Sequence, residues 1–286
     1  MSHLTYSDNV IESMRQRRSA GESLAKLAKE VGLSWQRLWT LLDARPVGIP
    51  KPPPAQAVQC SAGAGPLTER YRPRTLDALF GQEPVVRMLK NFAASPYPSA
   101  FIFEGETGTG KTSAALGLAA ALGCDVEQKP QEFGGVHVVA SGEQTADTVR
   151  ELEGRMWRTP FYGSGWKTVI VNEADRMHPA VETIWLDRLE ALPPRTVIVF
   201  TTNYAEKLSQ RFRDRCTRLG FESQAGKIGM DTYSLLASIW RNETGSDPDM
   251  AVIARVVEQA TEDGQLSFRR AVQLLTPALM SEKGKP

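Results

Sequence analysis

Gly105-Glu106-Thr107-Gly108-Thr109-Gly110-Lys111-Thr112 follows an apolar run, Ala100-Phe101-Ile102-Phe103, and precedes an alanine-rich stretch from Ser113 to Leu122. A strand, a glycine-rich loop and a helix in that order form a phosphate cradle of the G-x-x-x-x-G-K-[ST] type. Glycines allow successive backbone N–H groups to turn toward an anion, and the helix N-terminus adds a favourable dipole. Lys111 would supply a mobile positive charge and Thr112 a hydroxyl for Mg²⁺. The pattern predicts a site for a nucleoside triphosphate, with residues 105–112 holding the phosphates.

The remaining sequence separates into four parts. Residues 1–43 read as a small helical module, 44–66 as a linker, 67–222 as an α/β nucleotide-binding domain and 223–286 as a helical lid. The linker, from Arg45-Pro46 through Pro52-Pro53-Pro54 to Gly65, is rich in Pro, Gly and Ala and has no periodicity. In the α/β part, strands are expected at 99–104, 136–141, 167–172, 196–202 and 216–221. Helices are expected at 111–122, 144–157, 179–192 and 205–213. Continuous apolar strands such as Val197-Ile198-Val199-Phe200 imply burial on both faces, hence a parallel sheet covered by helices. Val181, Ile184, Trp185 and Leu189 fall at helical spacing and are read as core. After Phe221 only helices are expected, one ending near Arg241, one capped by Asp247-Pro248, and one starting at Ser267.

Composition sets broad limits. Apolar residues make up 41% and charged residues 23%, ordinary values for a globular chain. Lys plus Arg (34) nearly balances Asp plus Glu (33), so any nucleic-acid contact must come from a local patch. Cys60, Cys124 and Cys216 are far apart, with no C-x-x-C pair, and are read as reduced thiols. No apolar run approaches the ~20 residues that span a bilayer, and the polar N-terminus has no signal-peptide core. A cytoplasmic protein is the expectation.

A phosphate loop needs acidic and polar groups at neighbouring strand ends. Val169-Ile170-Val171-Asn172-Glu173 supplies them: Glu173 would act as general base on the attacking water, and Asn172 stands where an Asp is expected beside the metal. Asn172 keeps a carbonyl oxygen for a metal-bound water but lacks the charge, which predicts weaker Mg²⁺ binding or slower turnover. Asn203, at the end of the next strand, would position the water. Arg215 would act on a neighbouring subunit's γ-phosphate, or be a surface arginine paired with Asp214. Arg269 and Arg270 open a lid helix and would reach the phosphates on closure.

Taken in order, these motifs resemble an AAA+ ATPase of the clamp-loader group, similar to replication factor C small subunits. The resemblance covers about residues 67–275. Its opening segment is Glu69-Arg70-Tyr71-Arg72-Pro73-Arg74 through Phe80-Gly81-Gln82, which in that group lies beside the adenine. Residues 105–112 match Walker A, and Val169–Asp175 resembles Walker B except for Asn172. Asn203 falls at sensor 1, Arg215-Cys216 matches part of a Ser-Arg-Cys motif with Asp214 replacing the serine, and Arg269 falls at sensor 2. The resemblance implies ATP and Mg²⁺ as cofactors, intersubunit active sites formed by self-association or with related AAA+ subunits, and a role in DNA replication or another DNA transaction. Only eleven residues follow Leu275, whereas clamp loaders of this type carry a helical collar of roughly a hundred; assembly through the AAA+ modules alone, or with the help of partners, is the resulting expectation.

The N-terminal module, Gly21 to Trp39, resembles a helix-turn-helix. Leu24, Leu27, Ala28 and Val31 share a face, Gly32 permits the turn and Ser34 caps the second helix. Ser34, Gln36, Arg37 and Thr40 would then face base edges, with Arg15, Arg17, Arg18, Lys26 and Lys29 near phosphates. A protein-binding helical bundle fits the same pattern. Arg150, Arg155 and Arg158 on the central helix are candidates to face DNA or simply solvent. Three functions therefore stand: a clamp-loader-like ATPase engaging a sliding clamp, a loader or regulator for a helicase or transposase, and a non-hydrolytic, nucleotide-gated DNA-binding scaffold.

Overall fold

A computed structural model of the chain describes residues 65–127 and 130–283, together with residues 13–14, 16–17, 24–30 and 38. The helices are α1 (Leu24–Glu30), α2 (Leu67–Arg70), α3 (Glu83–Ala94), α4 (Lys111–Ala121), α5 (Ala146–Met156), α6 (Pro179–Glu190), α7 (Gln210–Asp214), α8 (Ala225–Thr244), α9 (Met250–Gln259) and α10 (Phe268–Lys283). The strands are β1 (Ser99–Glu104), β2 (Val136–Val139), β3 (Lys167–Val171), β4 (Thr196–Thr202), β5 (Thr217–Gly220) and the short pair β6 (Thr261–Glu262) and β7 (Gln265–Leu266).

β1 to β5 form one all-parallel sheet in the order β2-β3-β4-β1-β5. Every residue of β3 and β4 is buried, as both-sided coverage requires. Alternation along β1 divides the core: Phe101 and Phe103 pack with α3 and α4, and Ala100 and Ile102 face α5 and α6. On the second face Trp185 stands edge-on to Phe200 at 5.3 Å and Phe200 edge-on to Phe212 at 4.8 Å. Trp185, Val181, Ile184 and Leu189 all belong to this core. On the first face α4 is built of small residues, and lead-in residues lie against it. A Cβ on Gly117 would come within 3.0 Å of the Leu76 nitrogen and the Thr75 carbonyl carbon.

The lid has its own core, in which Leu236, Ile239 and Trp240 of α8 meet Ile253 and Val257 of α9 and Leu275 of α10. It is not purely helical: β6 and β7 pair antiparallel, Thr261 with Leu266 and Glu262 with Gln265. Asp263 and Gly264 between them both have positive φ, 48° and 77°, the geometry of a two-residue primed turn for which Asp-Gly is suited. The cap of α9 is Asp249, whose carboxylate accepts from the Ala251 and Val252 amides at 2.9 and 3.2 Å, rather than Asp247. The helix expected at 205–213 is divided into a single 3₁₀ turn, Ala205–Lys207, and α7, because the Ser209 hydroxyl accepts from the Phe212 amide and restarts the helix. β2 stops at Val139, where Ser141–Glu143 turns into a 3₁₀ segment.

In the N-terminal region Met14, Leu27 and Leu38 are buried and Arg17 makes two contacts to the Glu30 carboxylate, at 2.8 and 3.1 Å. Ser34, Gln36, Arg37 and Thr40 lie outside the described residues, as do residues 39–64, where the end of the module and the linker are expected.

Trp185→Ala removes a fully buried ring and is expected to lower unfolding free energy by about 3–5 kcal/mol. Trp157→Ala, at an exposed position, is expected to change it by less than about 0.5 kcal/mol. Denaturant unfolding of both variants checks the pair.

Candidate nucleotide-binding site

The loop 105–110 joins β1 to α4 at the carboxyl end of the sheet, where ligands of open α/β sheets bind. Gly108 has φ +83°, and a Cβ there would lie 2.1 Å from the Ser267 hydroxyl and 3.2 Å from the Arg269 Cβ. The lid therefore rests on the loop itself. Thr109 stiffens the turn by donating to the Glu106 carbonyl at 2.8 Å.

Lys111 is buried, and its ammonium donates to the Gly105 and Glu106 carbonyls at 2.7 and 2.8 Å and to Asn203 Oδ1 at 2.8 Å. Burial lowers its pKa to about 8; Glu106 opposes that shift and Arg269 adds to it. The Asn203 amide uses its other end to donate to Thr107 Oγ1 at 2.9 Å. One side chain at the end of β4 thus ties together both limbs of the loop.

Next to it, Thr112 Oγ1 donates to Asn172 Oδ1 at 2.9 Å and Thr201 Oγ1 to the same oxygen at 3.3 Å. Glu173 is exposed and lines the same cleft as Thr107, Lys111, Thr112, Asn203 and Arg269. Its backbone is left-handed, φ 55° and ψ 51°, a conformation that costs a non-glycine residue about 1 kcal/mol or more. The turn is held from outside. Gln144 Nε2 donates to the Asn172 and Glu173 carbonyls at 2.5 and 3.3 Å, and the Glu173 amide donates to Thr201 Oγ1 at 3.3 Å. Asp175 holds the adjoining strand end, accepting from Thr202 Oγ1 at 2.8 Å and the Asn203 amide at 3.4 Å.

A second cleft continues from Gly108 and Gly110 toward Tyr71, Pro73, Phe80 and Phe268. Its apolar lining between lead-in segment, loop and lid suits a planar base, and Arg72 borders both clefts.

The structure brings residues 105–112, Asn172, Glu173, Asn203 and Arg269 together. It places Arg215 elsewhere. β5 is parallel to β1 with Thr217 opposite Phe101, so Arg215 lies near the amino end of β1, on the order of 15 Å from the loop at its other end. There Arg215 pairs with Glu190 and donates to the Arg211 carbonyl at 3.1 Å, while Asp214 accepts from Gln210. Arg270 pairs with Glu262. On α5, Arg150 pairs with Asp147 at 2.9 Å and Arg155 with Glu151 at 2.6 Å and with Glu132. Gln144 and Thr201 have no role assigned from sequence, and Arg72 and Asp175 appear there only as members of the opening segment and the Walker B segment. The partners of Gln144, Thr201 and Asp175 lie 27 to 29 residues away along the chain, whereas Arg72 pairs with Glu69 three residues before it.

No cluster of three or more His, Cys, Asp or Glu suited to a metal occurs among the described residues. The donor set beside the loop is one hydroxyl, one amide oxygen and one carboxylate. Such a set fits Mg²⁺, which keeps several waters and relies on substrate phosphates. No helix among the described residues is long and apolar enough to cross a membrane. Cys124 is buried and Cys216 partly so, both as free thiols.

The parallel sheet order, the phosphate loop on β1 and the helical lid resting on it define an AAA+ P-loop protein. A family model for "DNA polymerase III, delta subunit" matches residues 81–225, just over half the chain, and the chain belongs to that family, as a clamp-loader-like AAA+ ATPase. It is 30% identical over 211 residues to a replication factor C small subunit of Thermofilum pendens, covering 73% of this chain and 61% of that protein. It is also 30% identical over 158 residues to replication factor C subunit 3 of Saccharomyces cerevisiae, covering 55% and 45%. The chain thus spans about half to three fifths of these relatives. The RuvB Holliday junction branch migration motor of Thermotoga maritima superposes with a TM-score of 0.54 at 19% identity, covering 74% of this chain and 67% of that one, which is a likeness of fold.

With Lys111 near half protonation at pH 8, phosphates bound beside it restore its full charge. Binding of ATP at pH 8 is expected to take up about half a proton, and affinity is expected to fall as pH rises above 8. Titration calorimetry in buffers of different ionisation enthalpy measures the uptake, and Lys111→Arg, charged throughout, should abolish it.

Proposed function

We propose that the chain binds ATP with Mg²⁺ between the α/β domain and the lid, hydrolyses it at sites completed by a neighbouring subunit, and uses that cycle in DNA replication or a related DNA transaction. The observation that carries this reading is the convergence of Lys111, Thr112, Asn172, Glu173 and Asn203 in one cleft under Arg269. Residues 105–112 would hold the phosphates and the apolar cleft the base. Thr112 and Asn172 would hold Mg²⁺, which when bound neutralises charge on the phosphates. Glu173, its turn fixed by Gln144 and Thr201, would take the proton of the attacking water, and Asn203 would orient that water. Asn172 contributes no charge, so the metal is held more weakly than by a carboxylate. Turnover is reduced rather than abolished, because the general base is intact.

Arg215 is too far from the loop of its own chain to touch the nucleotide there. Its position at the opposite end of the sheet supports a role toward a second subunit, with its Glu190 pair exchanged for phosphate. At that same end Trp157, Phe161 and Tyr162 are exposed, and Phe161 meets Phe133 edge-on at 5.5 Å. Exposed aromatics grouped in this way support docking of a macromolecular partner. In this reading the partner is a sliding clamp, or a helicase or transposase if the chain serves a mobile element. DNA is the expected ligand of the assembly, and the N-terminal module, with Ser34, Gln36, Arg37 and Thr40, is its proposed sequence-reading part.

Complementation tests the intersubunit site. Glu173→Gln and Arg215→Ala are each expected to reduce ATP turnover by about 10²-fold or more. Mixing the two inactive variants should restore part of the activity, because some interfaces then pair an intact Glu173 with an intact Arg215. Failure to restore activity in a mixture that co-assembles would contradict the shared site.

A further inference from the structure

The chain crosses between the α/β domain and the lid twice, and the first crossing follows the N-terminal region. Leu67 and Tyr71 are buried in the lid core with α8 and α10, not in the core under the sheet. Arg70 makes two bonds to the Glu243 carboxylate, at 3.1 and 2.6 Å, and the Tyr71 hydroxyl donates to the same carboxylate at 2.6 Å. Glu243 is near the end of α8 and its side chain is only 5% exposed. Three charge-assisted bonds converging on one buried carboxylate form a rigid attachment.

A few residues later the allegiance changes. Arg74 pairs with Glu127 at 2.5 Å, beyond α4. Asp77 pairs with Lys90 of α3, and Leu76 and Leu79 are buried under the sheet. Thr75 and Leu76 lie hard against Gly117 of α4. Only Arg72 and Pro73 lie between the two attachments, and both line the apolar cleft beside the phosphate loop. The second crossing, between Phe221 under the sheet and Ala225 in the lid, is braced by paired Gln82–Glu222 bonds of 2.8 and 2.9 Å.

We propose that residues 66–71 are mechanically part of the lid, that Arg72-Pro73 is a hinge roofing the nucleobase cleft, and that the chain preceding residue 66 is consequently tethered to the lid and not to the α/β domain. A lid movement then displaces the point at which the chain leading from the N-terminal region is attached. The nucleotide, seated under Arg72-Pro73, would set the angle of the lid; this last step rests on the proposed function, whereas the mechanical assignment does not.

Native-state hydrogen exchange on the full-length chain separates the two. Val257→Ala loosens the lid core, and Leu89→Ala loosens the core under the sheet. Val257→Ala is expected to speed exchange of the Arg70 and Tyr71 amides by about tenfold or more, in step with α8 and α9. Leu89→Ala should leave them at the wild-type rate while α3 exchanges faster. The reverse pattern, or Arg70 and Tyr71 amides indifferent to both variants, would overturn the assignment. If either substitution unfolds the whole chain, Glu243→Gln replaces it: the same two amides should exchange faster with β1 and β4 unchanged, and no change at those amides would overturn the assignment. Spin labels at Glu69→Cys and Glu258→Cys, with Cys60, Cys124 and Cys216 replaced, then test whether the attachment to the lid stays rigid when nucleotide is added. Their separation should stay constant on adding ATP with Mg²⁺, and a changed separation would overturn the proposal.

Discussion

Lys111 is the group on which the site depends. An ammonium removed from water needs compensation, and Lys111 obtains it from two carbonyls of its own loop and the amide oxygen of Asn203. Those three bonds fix the loop's curvature and bind it to the end of β4. Asn203 in turn is held by Asp175 through its main chain and grips Thr107 with its own amide. The carboxyl ends of β1 and β4 are neighbours only because the sheet runs in the order β3-β4-β1. Topology, burial and the charge of one side chain are therefore a single problem with one solution.

In the proposed function the neighbouring strand end carries the chemistry. Asn172 accepts from Thr112 and Thr201 with one oxygen. A carboxylate there would offer a second oxygen and a negative charge, so a metal held as proposed would meet a weaker field from this side chain. Glu173 is presented by a left-handed residue that the surrounding hydrogen bonds hold in place. Local strain of this kind persists only where neighbouring structure imposes it. Gln144, reaching from the end of β2, does so by capturing two successive carbonyls of that turn.

Much of this was legible in the sequence. Ser99–Glu104 and Thr196–Thr202 are strands at the residues expected, because unbroken apolar runs bounded by polar ends leave little choice of register. The phosphate loop was legible because its chemistry is local: eight consecutive residues contain all of it. The hairpin at Asp263-Gly264 was missed although the Asp-Gly signal was present, since its strands are only two residues each and too short for periodicity. Gln144 and Asp175 were not recognised as supports, because a glutamine in a loop has no pattern that reveals which carbonyls it will reach. The attachment of residues 66–71 to the lid was equally hidden; Glu243 is 172 residues from Tyr71 along the chain, and no local signal links them.

The central claim is that a complete ATPase centre persists despite Asn172. The most direct measurement is phosphate release from ATP by the purified chain with Mg²⁺ and DNA, with the Glu173→Gln variant as the blank. Turnover above that blank, dependent on Mg²⁺, is the predicted result. Tight ATP binding with release no faster than the Glu173→Gln variant would contradict the claim and leave a nucleotide-gated scaffold in its place.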